Sequence, residues 1–162
     1  MQDHLVLDAA RRLRNSRTPM RILLAIDNSR YSEAATQAIA SLIRAQDAEV
    51  FVLHVVEAPY VDTEKHQNQL KQARKWVQDA AGTLNTAGFK TDTSVTHLGE
   101  NNVQDVILDF AAQWHPGLIV LGSHGRTGLK RFLIGSVSDD VSRHAPCSVL
   151  IVRMPSSQCS ED

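Results

Sequence analysis

The sequence predicts an α/β domain built on one doubly wound, five-stranded parallel sheet. Three observations carry this. Apolar runs of strand length alternate with segments of helical periodicity along most of the chain. Those runs are apolar on both faces, as strands covered by helices on two sides must be. A glycine-rich stretch, Gly122 to Ser136, joins the last but one of these runs to a helical segment, and open α/β sheets bind ligands at such strand ends.

The elements follow in order. Arg21 to Ile26 (RILLAI) reads as a buried strand ending at Asp27. Asn28-Ser29 supplies a turn and a helix cap. Ala35, Ala38, Ile39, Leu42 and Ile43 then recur at helical spacing. Val50 to Val56 (VFVLHVV) is the second strand. Glu64 to Ala87 is a long helix with Leu70, Ala73, Val77, Ala80 and Leu84 on one face, stopped by Gly88. Phe89 to Leu98 alternates weakly, as an edge strand does. Asn102 to Trp114 is a helix turning Val103, Val106, Ile107 and Phe110 inward. Leu118 to Leu121 is the fourth strand, Ser136 to His144 a short helix ended by Ala145-Pro146, and Ser148 to Val152 (SVLIV) the fifth strand. Right-handed crossovers give a doubly wound sheet, and the inferred strand order 3-2-1-4-5 would bring Asp27 and Gly122 to one crevice at the switch point. Residues 1–19 read as an N-terminal arm closed by Pro19, residues 20–154 as the domain, and residues 155–162 as a polar tail.

Composition narrows the function classes. The chain has 162 residues, 43% hydrophobic and 22% charged, with a formal net charge of −1. That balance argues against a general nucleic-acid or membrane-surface binder. No apolar run approaches the roughly 20 residues of a membrane span. Leu5-Val6-Leu7 is too short for a signal core and is followed by Asp8 and arginines. Cys147 and Cys159 suggest neither a disulfide scaffold nor a metal site, and the seven histidines are scattered, so a cytoplasmic setting is expected.

The glycine loop carries the chemistry. Gly122, Gly125 and Gly135, with Ser136 after the last, form G-x2-G-x9-G-S. Glycine admits close backbone approach, and a loop opening a helix aims N–H groups and the positive dipole end at one point. Neither the Walker form nor G-x-G-x-x-G is present. A ligand-free β–α connection is the plain alternative. The third glycine, the hydroxyl beside it and the cations Arg126, Lys130 and Arg131 favour a phosphate site.

Taken together, ILLAIDNS, VLHVVE, IVLGSHGRTGLKRFLIGSVSDDV and HAPCSVLIV resemble the universal stress protein family from about Met20 to Arg153. The resemblance implies the branch that binds ATP as a ligand, with or without Mg2+. It implies that Asp27 holds ribose and the nearby adenine edge, that Ala25 and Ile26 line the base pocket, and that Val55 offers its backbone to adenine. Gly122 and Gly125 are expected at the phosphates, capped by Gly135, Ser136, Val137 and Ser138. Leu121, Ser123, His124 and Arg126 complete the expected site, with His124 either a phosphate donor or a loop-packing residue. The family commonly forms dimers, and the apolar last strand, 148–152, is the expected homodimer edge. An unnamed protein partner is also expected. Two departures stand out. Ser148 occupies a usual proline position, and the arm before Pro19 is longer than is general, which weakens carry-over of the dimer surface.

The expected role is a nucleotide-binding stress or signalling protein in which ATP biases a dimer or partner surface. The enzyme alternative is a slow ATPase or phosphotransferase. Asp139 and Asp140 follow the loop, but they read as a solvated helix face near its N-terminus. A binder of AMP or cyclic AMP is the third reading.

Overall fold

A computed structural model of the protein describes residues 18–57, 64–125 and 134–154. Its strands are β1 (Met20–Ile26), β2 (Ala48–Val56), β3 (Lys90–His97), β4 (Leu118–Gly122) and β5 (Ser148–Val152). All the pairings are parallel, in the order β3-β2-β1-β4-β5, as the sequence predicts. Ala25 of β1 sits level with Leu121 of β4, and Ile26 with His54 of β2. The chain leaves β1 in one direction to build β2 and β3, and returns to the other side for β4 and β5. The crevice therefore opens between the carboxyl ends of β1 and β4.

The helices are α1 (Arg30–Leu42), α2 (Glu64–Thr86), α3 (Val103–Trp114) and α4 (Ser136–His144). The two faces of the sheet make two cores. Ile22, Leu24 and Ile26 pack with Ile39 of α1 and Val77 and Leu84 of α2. Leu23, Leu53 and Val55 pack with Ile107 of α3 and Val141 of α4. Successive strand residues thus serve opposite cores, which is why β1 and β2 carry no polar alternation. Cys147 packs, half-buried, against the second core, and burial raises its thiol above the ordinary range.

The boundaries differ from the sequence reading in instructive places. α1 begins at Arg30, five residues before the first apolar position, because Ser29 caps it. β3 begins at Lys90, since Phe89 belongs to the stop of α2. There Gly88 adopts φ 92°, its N–H donates to Asn85 O at 2.9 Å, and Phe89 N–H donates to Leu84 O at 3.0 Å. This is the paired hydrogen bonding of a Schellman stop, closed by buried Leu84 and Phe89. A 3-10 turn, Ala45–Asp47, joins α1 to β2 without a forewarning pattern in the sequence. No helix among the described residues is long and apolar enough to cross a membrane. The N-terminal arm up to residue 17, the tail from residue 155, Cys159 and the loop cations Arg126, Lys130 and Arg131 lie outside the described residues.

Candidate functional site

Strand pairing carries Asp27 and Gly122 to the same end of the sheet, and hydrogen bonds arrange what surrounds them. The Asp27 carboxylate is held by the start of α1. Its Oδ1 accepts from Ser29 N–H at 3.1 Å and from the Ser32 hydroxyl at 2.7 Å. The Ser32 Oγ in turn accepts from Asp27 N–H at 3.0 Å. Ser29 Oγ accepts from Ser32 N–H at 3.2 Å, capping α1. This knot of Asp27, Ser29 and Ser32 satisfies the helix start from within the chain.

The opposite wall is the glycine loop. Ser123 N–H donates to Val152 O at 2.8 Å, and Gly135 N–H donates to Ser123 O at 2.8 Å. The Ser138 hydroxyl donates to Gly122 O at 2.7 Å. Two distant parts of the motif are thus tied back to back, with Ser123 and Ser138 buried beneath.

Two of the three motif glycines, Gly122 and Gly125, are required by space inside the fold, and Gly135 stands where a side chain would be tight. None has positive φ, unlike Gly88 and Gly99. A Cβ on Gly122 would stand 2.6 Å from Tyr31 Cβ and 2.8 Å from its carbonyl carbon. A Cβ on Gly125 would stand 2.7 Å from Asp27 Oδ2. One on Gly135 would meet Ser123 O at 3.3 Å and His124 Cα at 3.4 Å. The sequence reading attributes the glycines to ligand approach; the structure adds that Gly122 seats α1, Gly125 seats Asp27, and Gly135 seats the loop itself.

A cleft of about 90 Å³ lies between these walls. Of the expected residues, Ala25, Ile26, Asp27, Leu121, Gly122, His124, Gly125, Val137 and Ser138 line it. Ser32, Glu57, Val103 and Ile107 line it too and are absent from the sequence reading. Ser32 had a signal, a hydroxyl three residues after the Ser29 cap. Val103 and Ile107 were legible only as inward helix positions. Val55 puts its side chain into the second core instead. Ser123 is buried behind the wall, and Gly135 and Ser136 stand at the start of α4. Arg126 lies outside the described residues.

α4 starts differently from α1. Its N-cap is Gly135, and among the described residues no side chain caps it. The first intrahelical acceptor is Gly135 O, taken by Asp139 N–H at 2.9 Å. Helix geometry therefore leaves the amides of Ser136, Val137 and Ser138 without intrahelical acceptors, at the positive end of the dipole. Asp139 makes a bidentate pair with Arg143, 3.1 and 3.2 Å, which holds that guanidinium firmly protonated. Among the described residues, no group of acidic, histidine or cysteine side chains is placed to hold a metal.

A larger hollow, about 300 Å³, lies between α1 and α2 and shares Ile26 and Ser32 with the cleft. Among the described residues Glu33 and Asp79 line it and no Lys or Arg does. That is the wrong sign for phosphate.

The comparisons agree with this architecture. Universal stress protein YxiE of Bacillus subtilis is 32% identical over 145 residues, covering 82% of this chain and 98% of its own. Universal stress protein UspA of Lactobacillus plantarum is 26% identical with a TM-score of 0.66, covering 85% and 99% of the two chains. A universal stress protein of Arabidopsis thaliana solved with AMP bound shares the fold at 17% identity, TM-score 0.65, covering 89% and 97%. Two others of the same fold, 20% and 23% identical with TM-scores of 0.60 and 0.61, hold cyclic AMP and dAMP; they cover 83% and 82% of this chain and 97% and 96% of their own. The universal stress protein family model matches residues 19–153, and the chain belongs to that family.

Proposed function

We propose that the chain binds ATP in the crevice between β1 and β4, and that it acts in stress response or signalling. The observation that carries this is the uncapped start of α4, set at the end of a complete G-x2-G-x9-G-S motif. Three convergent amides at a positive dipole end suit a phosphate chain. Asp27, which lines the cleft, holds the ribose, with Ala25, Ile26 and the Val55 backbone at the base. Leu121, Gly122, Ser123, His124, Gly125 and Arg126 form one side of the phosphate seat, and Gly135, Ser136, Val137 and Ser138 the other. ATP serves as a ligand, with or without Mg2+, and biases a dimer or partner surface in the cytoplasm. Residues 1–19 and 155–162 are appendages to the 20–154 domain.

The homodimer edge is β5, which among the described residues pairs on one side only, with β4. ATP is not consumed at an enzyme's ordinary pace. Asp139, the nearest carboxylate after the loop, is committed to Arg143, so turnover belongs below about 1 per second. AMP or cyclic AMP is the second reading, favoured by the ligands in the structures of the same fold.

The test is to identify nucleotide carried through purification by mass, then titrate ATP, ADP, AMP and cyclic AMP by calorimetry. ATP is expected to bind more tightly than AMP. Equal affinity for all four would place recognition at the nucleoside alone, and no binding would end the nucleotide reading.

A further inference from the structure

The imidazole of His124 is held from several directions. The Tyr31 ring packs on it, with centroids 5.1 Å apart and planes at 43°. Tyr31 can take that place only because Gly122 has no side chain. A Cβ on Gly135 would stand 3.4 Å from the His124 Cα, so a side chain there would crowd the His124 backbone. Ser123 Oγ lies 3.1 Å from His124 Nδ1. His124 also lines the cleft, yet its Nε2 is buried with no hydrogen-bond partner among the described residues. An orphaned polar atom in a wall made this carefully calls for a function.

The neighbouring serine settles the proton. Ser123 is 1% exposed, and its backbone N–H and carbonyl are both occupied. Its hydroxyl proton needs an acceptor, and among the described residues Nδ1 is the one at hand. If Nδ1 instead donated to Oγ, two groups would be orphaned, the buried hydroxyl proton and the Nε2 lone pair. If Oγ donates, one group remains, Nε2–H. Buried orphans are costly, so the second arrangement wins.

We propose that Ser123 is a positioning residue that fixes His124 in the Nε2–H tautomer, and that this N–H donates to a phosphoryl oxygen of the bound nucleotide. An imidazole carrying its proton on Nδ1 would instead present a lone pair to an anion and repel it. Nε2 is buried, so this contact requires the ring to turn toward the cleft when the nucleotide binds. This rests on the nucleotide reading, and it adds how the wall opposite α4 supplies its donor.

Nitrogen-15 NMR of the free protein near neutral pH reads the tautomer directly and needs no variant. The neutral His124 ring is expected to carry its proton on Nε2, and a proton on Nδ1 would overturn the proposal. ATP should then move the Nε2 resonance, while adenosine should not. In calorimetry, His124→Ala and Ser123→Ala should each lose about tenfold in ATP affinity and little for adenosine, and Ser123→Ala should show a mixture of tautomers. His124→Gln, which keeps a donor, should recover part of the loss. Full ATP affinity in His124→Ala would overturn this inference and leave the nucleotide reading standing. A wild-type protein that binds no adenine nucleotide would overturn both.

Discussion

Two helices begin at the same crevice, and they begin in opposite ways. α1 is finished from within: Ser29 caps it, and Asp27 and Ser32 close a hydrogen-bonded ring around its first turn. α4 is left open: its cap is a glycine, and among the described residues no side-chain cap bond is made there. Both carry the same dipole, and both follow strands of the same sheet. Dipole alone therefore does not select a phosphate seat; unspent donors do. The carboxylate of Asp27 at the closed helix would repel a phosphate chain, whereas it suits ribose hydroxyls. On the proposed reading the crevice is polarised, with its nucleoside end at α1 and its phosphate end at α4.

Four substitutions probe this contrast. The largest effect should come from Gly122→Val, because α1 and the loop touch at that point with no room for a Cβ. Overpacking of this kind costs about 1–3 kcal/mol, and the upper end is expected since backbone must move. Urea melts should show it, together with at least a tenfold loss of ATP binding. Asp27→Ala comes next. It removes the acceptor for Ser29 N–H and Ser32 Oγ, at about 1–3 kcal/mol of stability. If Asp27 also reads ribose, ATP and AMP should weaken alike. A stability loss with unchanged affinities would reduce Asp27 to a clamp on α1.

The smaller pair sets the two helix starts against each other. Ser136→Ala removes a hydroxyl from the open helix without removing a cap. ATP affinity should fall about tenfold, roughly 1.4 kcal/mol, with the melting temperature nearly unchanged. Ser29→Ala removes the cap of the closed helix. Stability should fall by about 1 kcal/mol, with ATP affinity unchanged. The reverse pattern, stability lost at 136 and affinity lost at 29, would exchange the roles of the two helices.

Much of this was legible before any coordinates. The doubly wound sheet followed from alternating apolar runs and crossover handedness; the strand order was inferred, and Asp27 and Gly122 were brought together by that order alone. What escaped the sequence was mostly long-range fit. That Gly122 lies against Tyr31, and Gly125 against Asp27, depends on how α1 crosses β4, and no local pattern encodes the crossing. The motif reads as ligand chemistry because its glycines stand in a loop, yet their missing side chains first serve packing. Ser32 was readable as part of a helix start but not as a partner for Asp27. Val55 illustrates the converse: its backbone remains the proposed adenine contact, while its side chain is committed to the core beneath α3.

The central claim is that nucleotide phosphates meet the open helix and leave the closed one alone. Amide chemical shifts recorded during an ATP titration test it most directly, residue by residue. The account predicts large shifts for the amides of Ser136, Val137 and Ser138, and small ones for Tyr31, Ser32 and Glu33 in the first turn of α1. Adenosine should leave the first group unmoved. Saturation with ATP that shifts the start of α1, while the start of α4 stays silent, would contradict the account.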